Sequence, residues 1–424
     1  MKRVMRMFTN RRITAWAGAC LLLLLSGCSI ISDPKSLMQT PQLSTDRASL
    51  ISVIKAELKG GEIVSPRDVR NISSIRTPDL NNDGIKEAVV FYETPDEAVR
   101  IHGMILEHQG DSWALKVRFD GEGQVLETFD LLDLNGDGRL EIIAGFSSGS
   151  DELQKGLTIY TYDGNEVEKA IALPYHYFMV DDLNKDGIPD ITVVNLKREQ
   201  YATVTTYQYD GSFKELSHLE LDDPITEYYN AVSGNITPNL KGIILDATVG
   251  THSAFSTVIV MKDGELINLL PSQDMTLKGY PILSGDVNND GLLEIGMLEK
   301  PKGWEYISFD EIPWLFSYYQ WDEKDGLKFV MQQYMDMAGR FYFNFPKEWQ
   351  GKVTIDTKSD KNEHLIFVKT DTNEPVAEIR FFTLSEWERN KADWELLARD
   401  ADKVIGFLSH TDLKVNKGET EIKR

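Results

Sequence analysis

Apolar and aromatic residues along this chain come in short runs of about five to eight, separated by polar stretches rich in Asp, Asn and Gly. The stretch 126–173 shows the pattern: Leu126–Leu132, Glu141–Phe146, Leu157–Tyr162 and Glu166–Leu173 each have the length and composition of a strand. The breaks carry turn chemistry, such as Asp163-Gly164 here and Asp210-Gly211 further on. Four short strands per period, joined by turns, is the pattern of a propeller blade.

The period itself is marked by four segments that align without gaps: Asp79-Leu-Asn-Asn-Asp-Gly-Ile-Lys-Glu87, Asp133-Leu-Asn-Gly-Asp-Gly-Arg-Leu-Glu141, Asp182-Leu-Asn-Lys-Asp-Gly-Ile-Pro-Asp190 and Asp286-Val-Asn-Asn-Asp-Gly-Leu-Leu-Glu294. An apolar stretch follows each one, at 88–92, 142–146, 191–194 and 295–298. Their starts are 54, 49 and 104 residues apart, and the last gap is about two periods. Near its middle, Gly234–Asn239 followed by Ile243–Leu245 reads as a further repeat whose loop has lost its acids. The expected fold is therefore mainly β: a β-propeller of about five four-stranded blades, or six or seven if flanking strands join. Its repeats run over about residues 73–335, inside a domain expected at 45–338.

Each loop follows D-x-N-x-D-G-x-x-[DE]. Side-chain oxygens at positions 1, 3 and 5 of a tight turn can converge on one point. A glycine at position 6 permits the sharp bend, position 7 offers a carbonyl and the acid at position 9 closes the shell. The expected ligand sets are Asp79, Asn81, Asp83, Ile85 and Glu87; Asp133, Asn135, Asp137, Arg139 and Glu141; Asp182, Asn184, Asp186, Ile188 and Asp190; and Asp286, Asn288, Asp290, Leu292 and Glu294. Three carboxylates and an amide oxygen per loop suit Ca2+ better than Mg2+, which prefers a smaller, water-rich octahedron. About four structural calcium ions are expected. An EF-hand is excluded, because position 12 holds Val90, Ala144, Val193 and Met297 where that motif needs an acid, and the flanks are strand-like.

The strand–loop–strand setting with closure at position 9 resembles the FG-GAP or VCBS-type repeats of integrin α-subunit propellers, which also occur in bacterial proteins. The metal loops carry the resemblance. The FG and GAP signatures themselves are poorly kept, with Ala144-Gly145-Phe146 as a loose echo.

The flanks differ from the repeats. Residues 1–27 combine Lys2, Arg3, Arg6, Arg11 and Arg12 with an apolar run ending at Leu25-Ser26-Gly27-Cys28. That run is too short to span a bilayer and reads as a signal peptide. Cys28 resembles the lipid-modified first residue of bacterial lipoproteins, which implies a lipid-anchored, extracytoplasmic chain on the cell membrane. Residues 28–44, rich in Ser, Pro, Thr and Gln, read as a flexible tether, and 46–59 as a short helix. With Cys20 inside the discarded run and Cys28 lipidated, no thiol or disulfide would remain. At the other end, 339–424 reads as a small α+β domain. Strands are expected at Lys352–Asp356, His364–Lys369 and Val376–Thr383, with a helix over Ser385–Val404.

Net charge is −22, and losing a leader with five basic and no acidic groups leaves −27. Such a chain is no nucleic-acid binder, which needs a basic face. Gly145-Phe146-Ser147-Ser148-Gly149 matches G-x-S-x-G but lacks the strand-to-helix elbow a nucleophilic serine requires, and the seven histidines form no metal-spaced set in sequence. The function expected is a non-enzymatic binding or interaction module for a carbohydrate or protein ligand. The alternative is an envelope hydrolase or lyase acting on a polymer through the propeller channel. Ligand contact is expected at the end away from the metal loops, at Trp304, Tyr306, Tyr228 and Tyr280, with Tyr175 and Tyr177 on the same face.

Overall fold

The computed structural model describes residues 44–68, 73–94, 99–149, 155–222, 224–250, 252–399 and 402–411. The expected signal peptide, Cys28 and all of the tether except Ser44 lie outside them. The expected N-terminal helix is present as α1, Thr45–Glu57, capped by the Ser44 hydroxyl, which accepts from Arg47 N–H.

The protein is mainly β, and the described residues form six antiparallel sheets in chain order. The first contains β1 (Glu62–Ile63), β2 (Ile75–Arg76), β3 (Glu87–Glu93), β4 (Ile101–Gln109) and β5 (Ser112–Asp120). Three four-stranded meanders follow. They are β6–β9 (Val125–Leu132, Glu141–Ser147, Lys155–Tyr162, Val167–Tyr175), β10–β13 (Tyr177–Asp181, Asp190–Lys197, Tyr201–Tyr209, Phe213–Leu221) and β14–β17 (Glu227–Thr237, Leu240–Val249, Ser253–Lys262, Glu265–Asn268). The fifth sheet is β18–β21 (Ile295–Glu299, Leu315–Trp321, Leu327–Met335, Tyr342–Asn344). The strands read from sequence in the second sheet coincide with the observed ones to within a few residues.

Burial explains the composition of these strands. The strands after the first two loops, β3 and β7, are covered on both faces, and so are almost wholly buried and apolar along their middles. The fourth strands, β9 and β13, alternate exposed and covered residues. One core packs Leu50 and Ile54 of α1 on Ala88, Val90 and Met104 of the first sheet, and the others described here lie between consecutive sheets. Phe91, Phe129 and Phe146 join the first and second, with Phe91 and Phe129 edge-to-face at 5.0 Å. Ile143, Ile159, Ile191 and Val193 join the second and third, and Val204, Ile225, Leu245 and Phe255 the third and fourth. Stacking therefore runs face to face along the chain.

Two expectations are corrected. The fifth sheet runs past the boundary expected at 338/339, because β21 pairs with β20. The C-terminal unit, moreover, does not own its core: Trp304, Leu315, Tyr334 and Phe343 pack with Phe367, Ile379 and Phe407 in one cluster. The expected helix over Ser385–Val404 is confined to α2, Leu384–Asn390, capped by Thr383 through a capping box with Glu386. The chain then forms β25 (Glu395–Arg399) and β26 (Lys403–Ser409), completing a sheet with β22 (Val353–Ile355), β23 (His364–Lys369) and β24 (Pro375–Thr383). Val404, Ile405 and Phe407 on β26 are buried against β24, and that burial outweighs the helical spacing of Trp387, Trp394, Leu397 and Val404. No helix among the described residues is long and apolar enough to cross a membrane.

Candidate functional site

The four acidic segments form one repeated turn: the first three link β2 to β3, β6 to β7 and β10 to β11, and the fourth leads into β18, its ends bridged by Gly285 and Glu294. In the first, Asp79 Oδ1 and Oδ2 accept from the N–H groups of Asp83 and Gly84 (3.1 and 2.8 Å), and Asp83 Oδ1 accepts from Ile85 N–H (2.8 Å). Asp182 and Asp186, and Asp286 and Asp290, repeat all three bonds. Asp133 takes the N–H of Gly136 and Gly138, and Asp137 that of Arg139. The backbone is as regular. Position 6 has φ between +84° and +91° in all four loops, which glycine adopts without cost, and position 4 (Asn82, Gly136, Lys185, Asn289) is also left-handed.

The acid at position 9 opens the following strand and points back into the turn. Glu87, Glu141, Asp190 and Glu294 are between 0% and 4% exposed. One oxygen of each accepts the N–H of position 2: Leu80 (2.7 Å), Leu134 (2.9 Å), Leu183 (2.9 Å) and Val287 (2.9 Å). Burial pushes these carboxyls up, the position-2 amide opposes it, and the acids at positions 5 and 1 add repulsion. Glu141 and Glu294 rise to about 7 and Asp190 to about 6. The other oxygen of Glu87, Oε1, is buried without a hydrogen-bond partner. A buried acid beside two more acids is unfavourable unless protonated or met by a cation. The all-oxygen donor set fits a hard divalent cation.

As placed, however, no group of three His, Cys, Asp or Glu side chains among the described residues is gathered closely enough to hold an ion. The asparagine at position 3 instead donates its amide to position 5, as in Asn81 Nδ2 to Asp83 Oδ2 (2.9 Å) and Asn184 Nδ2 to Asp186 Oδ2 (2.9 Å). Position 7 (Ile85, Arg139, Ile188, Leu292) takes part through its backbone N–H. The sequence reading missed the residue facing position 9 from the neighbouring strand, β12 in the third sheet and β19 in the fifth. Gln208 Nε2 bridges Asp186 and Asp190 (2.7 and 3.3 Å), and Gln320 Nε2 bridges Asp290 and Glu294 (3.2 and 2.7 Å). In the first loop Glu107 pairs in register with Glu87. Strand register alone reveals this position.

Of the aromatics expected to meet a ligand, two are placed in the core. Trp304 is 3% exposed, and its Nε1 donates to Ile355 O (2.9 Å) in the cluster shared with the C-terminal sheet. Tyr228 is buried between the third and fourth sheets. Tyr306 and Tyr280 are exposed, at 99% and 41%. Away from the loops, at the far ends of β6, β8, β9 and β11, two adjoining cavities of about 550 and 280 Å3 share Lys155, Tyr175 and His176.

No family model and no curated protein matches the chain. Among solved structures, a rhamnogalacturonan lyase of Bacillus licheniformis is 10% identical, with 75% of each chain covered and a TM-score of 0.26. A GH43 β-1,3-galactosidase is 8% identical over 83% of this chain and 82% of its own (TM-score 0.27). An exo-β-1,3-galactanase of Clostridium thermocellum is 8% identical over 82% of this chain and 96% of its own (TM-score 0.27). Overlap of that degree assigns neither activity nor ligand.

Proposed function

We propose that this protein is a calcium-stabilised β-propeller of about five blades, carried by a lipid-anchored extracytoplasmic chain and serving as a non-enzymatic binding module. The observation that carries the reading is the fourfold recurrence of one turn with a buried acid at position 9. A solvated Asp/Asn turn needs no such acid, since a carboxylate drawn out of water beside two others is destabilising by itself. A divalent cation converts that cost into a cross-link that pins the segment before each acidic loop to the strand after it. The face-to-face stacking of four-stranded meanders, with doubly covered inner strands, supports the propeller geometry. The loops then share one end of the ring, and the longer connections form the other.

The test is thermal unfolding of the full chain in mild detergent with excess EGTA and then with millimolar Ca2+. A ligand that binds only the folded state raises its stability by mass action. The expected result is a rise of several degrees in calcium, on the order of what ~2 kcal/mol gives a chain of this size. Asp137→Ala and Asp186→Ala should each reduce it. No rise, together with no calcium by elemental analysis, would remove the metal from the reading and with it the resemblance to calcium-loop propellers.

A further inference from the structure

We propose that the cleft formed by the two adjoining cavities binds an uncharged, polyhydroxylated ligand, a segment of neutral oligosaccharide. The inference rests on the binding-module reading and names its site and ligand class.

The cleft lies between the second and third sheets. Their combined space is within the roughly 300–1,000 Å3 usual for small-ligand sites. Its floor is a buried carboxylate whose charge is already matched. Glu127 lies in β6 and accepts from the Ser147 hydroxyl (2.5 Å). Arg67 Nη1 stands 3.3 Å and Lys155 Nζ 3.8 Å from the same carboxylate. Glu122 at the rim is paired with Lys169. Asp68 lines the same cavity, so two carboxylates face Arg67 and Lys155 and the cleft carries no net charge. An anionic ligand would have to compete with Glu127 and Asp68 for the cations, and a cationic one with Arg67 and Lys155 for the carboxylates, so neither gains net Coulomb energy. Hydroxyl groups, which donate and accept at once, can join these pairs without breaking them.

The other walls fit the same chemistry. Ala172, Leu173 and Pro174 of β9 give an apolar ledge with Ala172 and Pro174 exposed, a surface for the C–H face of a sugar ring. His176 Nδ1 accepts from Leu196 N–H (3.1 Å), which places the neutral ring's proton on Nε2, and Asn195 adds an amide. Position is set by the backbone: Arg67 and Asp68 donate their N–H groups to Leu126 O and Glu127 O (3.1 and 2.9 Å), strapping the N-terminal segment along the edge of β6.

The experiment is isothermal titration of the full-length, calcium-loaded protein. Maltotetraose, cellotetraose and β-1,3-galactotetraose serve as neutral probes, tetragalacturonate and chitosan tetramer as charged ones. The expected result is that at least one neutral probe binds, with the charged probes at least about tenfold weaker. Lys155→Met and Asn195→Ala should each weaken that binding by a similar factor while the calcium-dependent melting stays unchanged. The proposal is overturned if no neutral probe binds a protein that shows the calcium shift, if a charged probe binds more tightly, or if both variants bind as the parent does. Neutral-probe binding that the two variants abolish, in a protein without any calcium shift, would uphold the cleft and reject the metal loops.

Discussion

At the scale of single residues, the polar groups that matter most are those whose partners the fold brings from far away in sequence. Glu378 on β24 is held between two histidines, His364 Nε2 at 2.5 Å from one oxygen and His410 Nε2 at 2.6 Å from the other. Burial alone would raise this carboxyl, but the hydrogen bonds from His410 and His364 outweigh it and bring it below its ordinary value of 4.5. The sign follows from linkage. A carboxyl that holds its proton less tightly when folded contributes stability above its unfolded pKa, and that stability is lost as pH falls through the folded value. Glu378→Gln should therefore be less stable than the parent at pH 6, and the difference should shrink as both are taken below 4.5. Urea unfolding at a series of pH values measures this, and a difference that is constant with pH would mean that the carboxylate charge plays no part. Nothing in the spacing of His364, Glu378 and His410 announces the cluster. It exists because β23 and the end of β26 flank β24 on opposite sides.

At the scale of elements, the loops were legible and the fourth sheet only half so. Gly234–Asn239 reads in sequence as a repeat without acids, and β14 and β15 are joined there by a tight turn at Pro238-Asn239. What the sequence did not show is what fixes that sheet to the next. Lys278 is wholly buried, its Nζ lying 3.3 Å from Asp246 Oδ1, 2.9 Å from Ser256 Oγ and 2.7 Å from Gly296 O. Burial pulls the ammonium down and Asp246 opposes that. The sheet lacking an acidic loop is thus tied to the fifth by an internal cation, and a lone lysine in an irregular segment gives no sign of it. The helix expected over Ser385–Val404 failed for a related reason: a spacing of apolar residues that fits a helix was overridden by an open edge of β24 that needed a partner.

The acidic loops also differ from one another in a testable way. A Cβ on Gly84, Gly187 or Gly291 would meet open space, whereas on Gly138 it would stand 2.5 Å from Asn82 Nδ2 of the preceding loop. All four replacements by alanine pay for a left-handed φ, roughly 1–2 kcal/mol. Gly138→Ala should cost somewhat more than Gly187→Ala, because the Asn82 side chain must also swing out of the way of the new Cβ. Chemical denaturation of the two variants in EGTA compares them without any contribution from metal. Equal losses would show that the contact between neighbouring loops yields freely.

At the scale of the whole molecule, the fifth sheet and the C-terminal sheet share one hydrophobic cluster, and this bears on what the C-terminal region is. The aromatic alternation of Phe341, Phe343 and Phe345 was visible in sequence, but its destination was not. These rings fill a core in which Phe343 sits 5.8 Å from Phe367 and 5.1 Å from Phe407, while Tyr334 of the fifth sheet meets Phe367 at 6.2 Å. Burying such rings dominates local stability, and removing one from a packed core typically costs about 3–5 kcal/mol. If 339–424 were an independent domain, Phe367→Ala would lower only its own transition and leave the calcium-dependent melting of the repeats in place. Because the cluster spans both, the replacement should lower the fifth sheet and the C-terminal sheet together. Pulsed hydrogen exchange would show protection lost in β19 and β20 as well as in β23 and β24. Loss confined to residues beyond 345 would make the C-terminal sheet an appended domain after all, and would return the boundary to where the change in sequence pattern placed it.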